Sequence, residues 1–197
     1  MLDCVNFSNK LSNWVTATVV QTPNSKKRVA VIQWFVELVT SCWAMNNYSS
    51  AVSILHGLDH HSVQRLKLTW KSLPKKSLKQ VNDLMDQISV LNNFEKLRAV
   101  QSNSTPPMIP YLPLYLKDIS LIELGNPTFL GDSDTINFTK FRMISKRFSE
   151  IEALQRIPYN YRYNYVLLEW FSSLPSLPDE KIFMYSDLCE VHLKIIH

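Results

Sequence analysis

Only three glycines, Gly57, Gly125 and Gly131, occur in the 197 residues of this chain. That is roughly a fifth of ordinary usage, which is about 7%. Loops that cradle phosphates need several glycines in one short stretch, so that backbone N–H groups can approach the anion. No such stretch exists, which excludes a P-loop and a dinucleotide fingerprint. A fold rich in β-hairpins is disfavoured too, because two-residue turns want positive φ.

What remains is helix. Apolar residues make up 46% of the chain and aromatic residues 11%, enough for the core of one domain. The pattern predicts helices over 11–20, over 26–45 with Ser25 as N-cap, over 48–58 closed by Gly57 or just past it, over 63–73, and over 78–91. The helix over 26–45 is apolar almost all round, which predicts a central place in a bundle. Pro106 and Pro107 mark an extended linker. Helices follow over 110–124, stopped by Gly125-Asn126-Pro127, and over 137–157, joined by a polar turn at Asp132-Ser133-Asp134. In the second of these, Phe138, Phe141, Ile144 and Phe148 are expected to lock the base of the pair to the core. Helices over 165–174 and 180–193 close the chain. The expected fold is all-α, a single irregular helical bundle of about ten helices with a protruding helical hairpin at about 110–157.

Side-chain chemistry gives little sign of an enzyme. Cys4, Cys42 and Cys189 are far apart, which fits a reducing, cytoplasmic setting rather than a disulfide or zinc framework. His56 and His60 are four residues apart and would share a helix face only if the helix ran on through Gly57. His192 and His197 carry no motif, and no metal site or cofactor is expected. Residues 1–100 hold 12 Lys/Arg against 6 Asp/Glu, and residues 101–197 hold 9 against 11. That balance is too mild for a dedicated nucleic-acid protein. The basic run Arg65, Lys67, Lys71, Lys75, Lys76 and Lys79 is read as a solvated face, with contact to anionic lipid or an acidic partner as its functional alternative.

A set of short phrases is more informative. In order they are Leu11-Ser12-Asn13-Trp14-Val15, Asn46-Asn47-Tyr48, Ile54-Leu55-His56-Gly57-Leu58, Val63-Gln64-Arg65-Leu66 with Thr69-Trp70 and Leu73-Pro74, Ile109-Pro110-Tyr111-Leu112, Tyr115-Leu116-Lys117-Asp118-Ile119, Gly125-Asn126-Pro127, and Ile136-Asn137-Phe138-Thr139-Lys140. In this order and spacing the chain resembles the catalytic domain of Ras-type guanine-nucleotide exchange factors over about residues 5–195. The co-linearity carries the likeness, since each phrase is only a few residues long.

The resemblance implies an all-α exchange factor that speeds GDP release from a Ras-superfamily small GTPase of the Ras, Rap or Ral type, with no covalent chemistry. It implies no nucleic-acid partner, and contact with membranes only through the GTPase. In the family a bowl in the helical core anchors one GTPase switch, and the hairpin pries the other from the nucleotide. The bowl positions fall on Val5, Asn6, Asn9, Val52, His56, Asp59 and Tyr111, with Val5, Val52 and Tyr111 as its apolar surface. The wedge positions fall on Ser120, Glu123, Leu124 and Asn126. Two positions depart from the family pattern. Asp59 stands where asparagine is usual and cannot donate a hydrogen bond. Leu124 stands where a second acid is usual and acts by bulk instead of charge. Residue 1 falls inside the family's usual domain, which places one or two opening helices, and the separate upstream helical domain, outside this sequence. These departures give the alternative reading, a catalytically impaired binding or scaffold fragment.

Overall fold

Helix follows helix through the computed structural model, which describes residues 2–131 and 134–190. They are α1 (Leu2–Val20), α2 (Ser25–Ala44), α3 (Tyr48–Asp59), α4 (His61–Gln64), α5 (Lys67–Lys71), α6 (Lys75–Gln87), α7 (Glu95–Asn103), α8 (Leu112–Gly125), α9 (Phe138–Gln155), α10 (Tyr165–Ser172) and α11 (Asp179–Cys189), with a 3-10 turn at Leu91–Asn93 before α7. Among the described residues, β-pairing is limited to isolated bridges between Asn47 and Ile109 and between Phe129 and Ile136.

The centre is α1 and α3, which run parallel in close contact, with α2 packed across them. Val15 and Val19 of α1, Ile32, Phe35 and Val39 of α2, and Val52, Leu55 and Leu58 of α3 are all buried there. Gly57 makes the approach possible. A Cβ on it would lie 2.6 Å from the Ser12 carbonyl oxygen and 2.7 Å from Val15 Cβ. The Thr16 hydroxyl donates to the Gly57 carbonyl at 2.9 Å across the same contact. Trp14 packs edge-on against Trp34, Phe35, Trp170 and Phe171, joining α10 to the centre.

Two asparagines make the turn from α2 to α3. Asn46 takes a positive φ of 57°, which asparagine tolerates. Asn47 caps α3 by accepting from Ser50 N–H. The chain at Ile109 docks on this turn: Ile109 N–H donates to Asn46 O at 3.0 Å, and Tyr48 N–H to Ile109 O at 2.9 Å. The segment leading into α8 is thereby rooted on the start of α3.

The hairpin of α8 and α9 leaves the body from that root. Leu114 is the buried side chain of α8, and Lys140 that of α9. Arg98 of α7 grips Asp118 of α8 through two hydrogen bonds of 2.9 and 2.8 Å. α11 returns to the body, where Ile182 is buried and Ser186 Oγ donates to Ser62 O at 2.6 Å.

Several expectations need correction. The first helix begins at Leu2 rather than at 11. Asn24, not Ser25, caps α2, accepting from Lys27 N–H at 3.0 Å. α2 is not buried all round, since Trp34 lies largely in solvent. Gly57 lies inside α3 and does not close it; the helix ends just past it, at Asp59. The stretch 63–73 is two short helices, α4 and α5, bent apart at Arg65 and Leu66. α7 was not foreseen. Phe138, Phe141 and Phe148 are exposed, because the hairpin stands off from the core they were expected to join. Asp132 and Ser133 of the polar turn, and the stretch after Glu190 with His192, Leu193 and His197, lie outside the described residues.

Candidate functional site

Four of the assigned positions line one small concavity of about 90 Å³: Val5 and Asn9 from α1, His56 from α3, and Tyr111 at the start of α8. Its floor is polar and already satisfied, with Ser8 and Ser53 hydroxyls bonded across the α1–α3 contact. The Tyr111 ring meets His56 edge-on at 6.0 Å between centroids. Burial raises the Tyr111 pKa, so its phenol stays protonated. His56 shows much of its ring to solvent yet sits low in the wall. Desolvation pushes its pKa down, against the upward pull of the Asp59 carboxylate. The neutral imidazole is therefore favoured at neutral pH.

The other three assigned positions fall elsewhere. Asn6 lies on the neighbouring groove of α1, beside Phe7, Asn13 and Phe171 of α10. Asp59 is exposed at the end of α3. Val52 is 0% exposed and offers no surface to a partner. Its turn of α3 faces α1 and α2, so of the three apolar positions assigned to the wall only Val5 and Tyr111 line it, joined there by Leu112 and Pro113. His60 lies just past the end of α3 and caps α4, where its Nδ1 accepts from Ser62 N–H at 3.2 Å.

α7 is what the sequence reading lacked here. Gln101, buried on that helix, accepts the Tyr111 N–H through Oε1 at 2.8 Å. Together with Arg98 it fixes the start of α8 against the concavity. A glutamine and an arginine three residues apart, Arg98 and Gln101, are the only signal.

α8 carries the chain from the wall to the far end of the hairpin. At 1.5 Å per residue, Leu112–Gly125 spans about 20 Å. At its end Leu124 is 85% exposed, and Leu121, Phe129, Leu130, Ile136 and Phe138 are exposed around it. Scattered apolar side chains on a surface need no explanation, but a cluster on one projecting tip marks a contact surface. Ser120 is exposed one turn earlier.

The tip is held by polar ties. Asn126 Nδ2 donates to Ile122 O at 2.9 Å, closing the end of α8. Asn137 caps α9 by accepting from Lys140 N–H and donates from Nδ2 to Pro127 O. Lys140, 2% exposed, donates through Nζ to Glu123 Oε1 at 2.7 Å and to Thr128 Oγ1 at 3.1 Å. One buried ammonium thus joins the last turn of α8, the loop and the first turn of α9. In the sequence Lys140 shows only as the last residue of the phrase Ile136-Asn137-Phe138-Thr139-Lys140. Its effect is to set the direction of Glu123 and to neutralise it.

Comparison with known proteins places the chain in a family. A family model described as the RasGEF domain matches residues 1–142, which takes in the concavity and the hairpin tip. Ras guanine nucleotide exchange factor M of Dictyostelium discoideum is 33% identical over 192 residues, covering 96% of this chain and 21% of that protein. Ras guanine nucleotide exchange factor C of the same organism is 36% identical over 152 residues, 77% of this chain and 10% of that protein. Ras-specific guanine nucleotide-releasing factor 1 of Homo sapiens is 28% identical over 180 residues, 91% of this chain and 14% of that protein. The chain therefore spans about a fifth or less of the length of these relatives. On the family match and the near full-length likeness to these exchange factors, the chain belongs to the RasGEF domain family.

Proposed function

We propose that this chain binds a Ras-family GTPase and promotes release of its GDP. One observation carries the reading furthest: a single helix, α8, begins in the concave wall at Tyr111 and ends about 20 Å away at an exposed apolar tip. A partner seated against the wall is met at a fixed distance by the tip. No bond is made or broken. The exchanger works because it binds the nucleotide-free GTPase better than the loaded one, so nucleotide and exchanger weaken each other reciprocally.

The wedge in this reading acts by shape. Leu124 brings bulk to the nucleotide site, and the Glu123 carboxylate is already paired with Lys140. A second reading rests on that same observation: with the Glu123 carboxylate engaged by Lys140, the chain binds a GTPase without releasing its nucleotide.

Immobilised nucleotide-free and GDP-loaded Ras, Rap and Ral GTPases separate the readings. Coupling in the usual range of 1–3 kcal/mol gives about 5–150-fold tighter binding to the nucleotide-free form. Equal binding to both forms supports the scaffold reading, and binding to neither removes the GTPase partner altogether. Tyr111→Ala is expected to weaken the complex by about 30-fold, as truncation of a central interface aromatic does.

Lys140→Met isolates the wedge. It leaves behind Glu123, whose side chain is more than half exposed, and the Thr128 hydroxyl, which loses one donor, so global stability should fall by about 1 kcal/mol. The Leu130 and Asn137 amides, bonded to Thr135 O and Thr128 O, should lose protection in hydrogen exchange, and GDP release should slow by about 10-fold from a loosened tip. Unchanged release alongside loss of protection would show that the tip does not act on the nucleotide.

A further inference from the structure

The basic run noted in the sequence is not absorbed by the concavity or the hairpin. Residues 60–82 hold six Lys/Arg and no Asp/Glu. Arg65 is committed, forming an ion pair with Asp187 at 2.5 Å and lying over the Phe183 ring. Lys67 and Lys71 on α5, and Lys75, Lys76 and Lys79 on α6, are all exposed, and none of the five forms an ion pair with a described residue. Most nearby acids are occupied. Glu190 is nearly buried and bonded to α5 backbone N–H groups beside Arg28. Asp86 is held by Lys96, and Asp83, one turn beyond Lys79 on α6, flanks the patch at its far edge without an ion pair to a described residue.

This arrangement opposes stability. Lys75 and Lys76 occupy the first turn of α6, which has no acid and no side-chain cap. The helix dipole is positive at that end and disfavours cations. Lys75 and Lys79 are also a like-charged pair at i, i+4. An anionic surface laid against the patch reverses the sign of both effects. In the midst of the lysines, between Lys67 and Lys71, stands Leu68 at 67% exposure. A nucleic-acid backbone or an acidic peptide gains little from an isolated leucine among lysines, whereas a lipid interface takes up an apolar side chain and leaves the ammonium groups at the headgroups.

The patch also sits apart from the concavity. Arg28 Nε donates to Thr69 Oγ1 at 2.9 Å, bringing α5 to the first turn of α2 with its exposed Lys26 and Lys27. This is near the C-terminal end of α1, where Cys189 Sγ reaches Val20 O. Val5 lies about 22 Å away along the same helix. We propose that α5 and the first turns of α6 form a docking surface for an anionic lipid bilayer, with Leu68 entering the interface and Lys67, Lys71, Lys75, Lys76 and Lys79 meeting the headgroups. This departs from the expectation that the chain reaches membranes only through a GTPase, and it does not depend on exchange activity.

Vesicle sedimentation tests it, using phosphatidylcholine alone and phosphatidylcholine with about a third phosphatidylserine at about 0.1 M salt. The chain should sediment with the anionic vesicles and not with the neutral ones. Lys71→Glu/Lys75→Glu/Lys76→Glu should lower binding by about 100-fold. Leu68→Ser should lower it by about 5-fold without changing the salt dependence. All four side chains are exposed, and a melting temperature no lower than that of the wild type verifies the fold of each variant. Failure of the wild-type chain to prefer anionic vesicles, or full binding by the triple variant, overturns the proposal. So does binding of duplex DNA as tight as that of vesicles together with no effect of Leu68→Ser, which would assign the patch to polyanions at large.

Discussion

Glu190→Ala is expected to lower the unfolding free energy by about 3–5 kcal/mol, read as a fall of about 10 °C or more in melting temperature. Glu190 follows α11 and reaches back to the opposite end of the sequence. Its Oε1 accepts from Thr69 N–H at 2.8 Å and from Thr69 Oγ1 at 2.6 Å, and its Oε2 accepts from Leu68 N–H at 3.0 Å. Beneath it lies Arg28, 1% exposed, with Nη2 at 3.5 Å from Oε1. The other guanidinium nitrogens donate to Thr69 Oγ1, Thr22 O and Pro23 O. Alanine would leave a buried cation without its counter-ion and backbone donors of α5 without an acceptor. Both are expensive in a low-dielectric surrounding. Glu190→Gln keeps an acceptor and loses the charge, so it should fall between wild type and alanine. Losses below about 1 kcal/mol for both variants would mean that Glu190 does not latch α11 to the body.

Gly57→Val is expected to destabilise the fold by about 3 kcal/mol, at the upper end of what overpacking usually costs. Valine would improve helix propensity by a few tenths of a kcal/mol, but its Cβ would meet the Ser12 carbonyl oxygen at 2.6 Å. That atom is backbone of α1, so relief requires moving a whole helix, and with it Val5 and Asn9 of the concavity. Gly125 is the internal control. A Cβ there meets nothing within 4 Å, so Gly125→Ala should leave stability unchanged or raise it by about 0.5 kcal/mol. Equal effects of the two substitutions in thermal unfolding would contradict the close α1–α3 contact. Gly131 is different again: its φ of 61° lies in the left-handed region that favours glycine.

The phrases that carried the family likeness turn out to be joints. Asn13 donates to Leu177 O and accepts from Leu177 N–H. Asn46-Asn47-Tyr48 receives Ile109. Trp70 Nε1 donates to Val63 O. Asp118 is held by Arg98, and Lys140 ties the hairpin tip. Joints show in a sequence because they need particular donors and acceptors at particular spacings. What stayed hidden follows from the same logic. The periodic phenylalanines of α9 reveal a face, but periodicity does not say whether protein or solvent lies against it. Val52 shares a helix with His56, yet its turn faces the core. α7 has only Leu97 and Val100 as apolar periodic residues, too few to announce a helix, and its importance lies in Gln101 and Arg98. The bend between α4 and α5 has neither glycine nor proline to mark it. The concavity was legible in part, since four of seven assigned side chains meet there. The tip was legible in outline, while the pairing that occupies Glu123 was not.

The most direct test of the central claim is the rate of fluorescent GDP release from Ras, Rap and Ral GTPases with micromolar chain in excess unlabelled nucleotide. The account predicts faster release from at least one of them, rising with chain concentration and reduced by Tyr111→Ala and Lys140→Met. Release at the intrinsic rate from all three would contradict it.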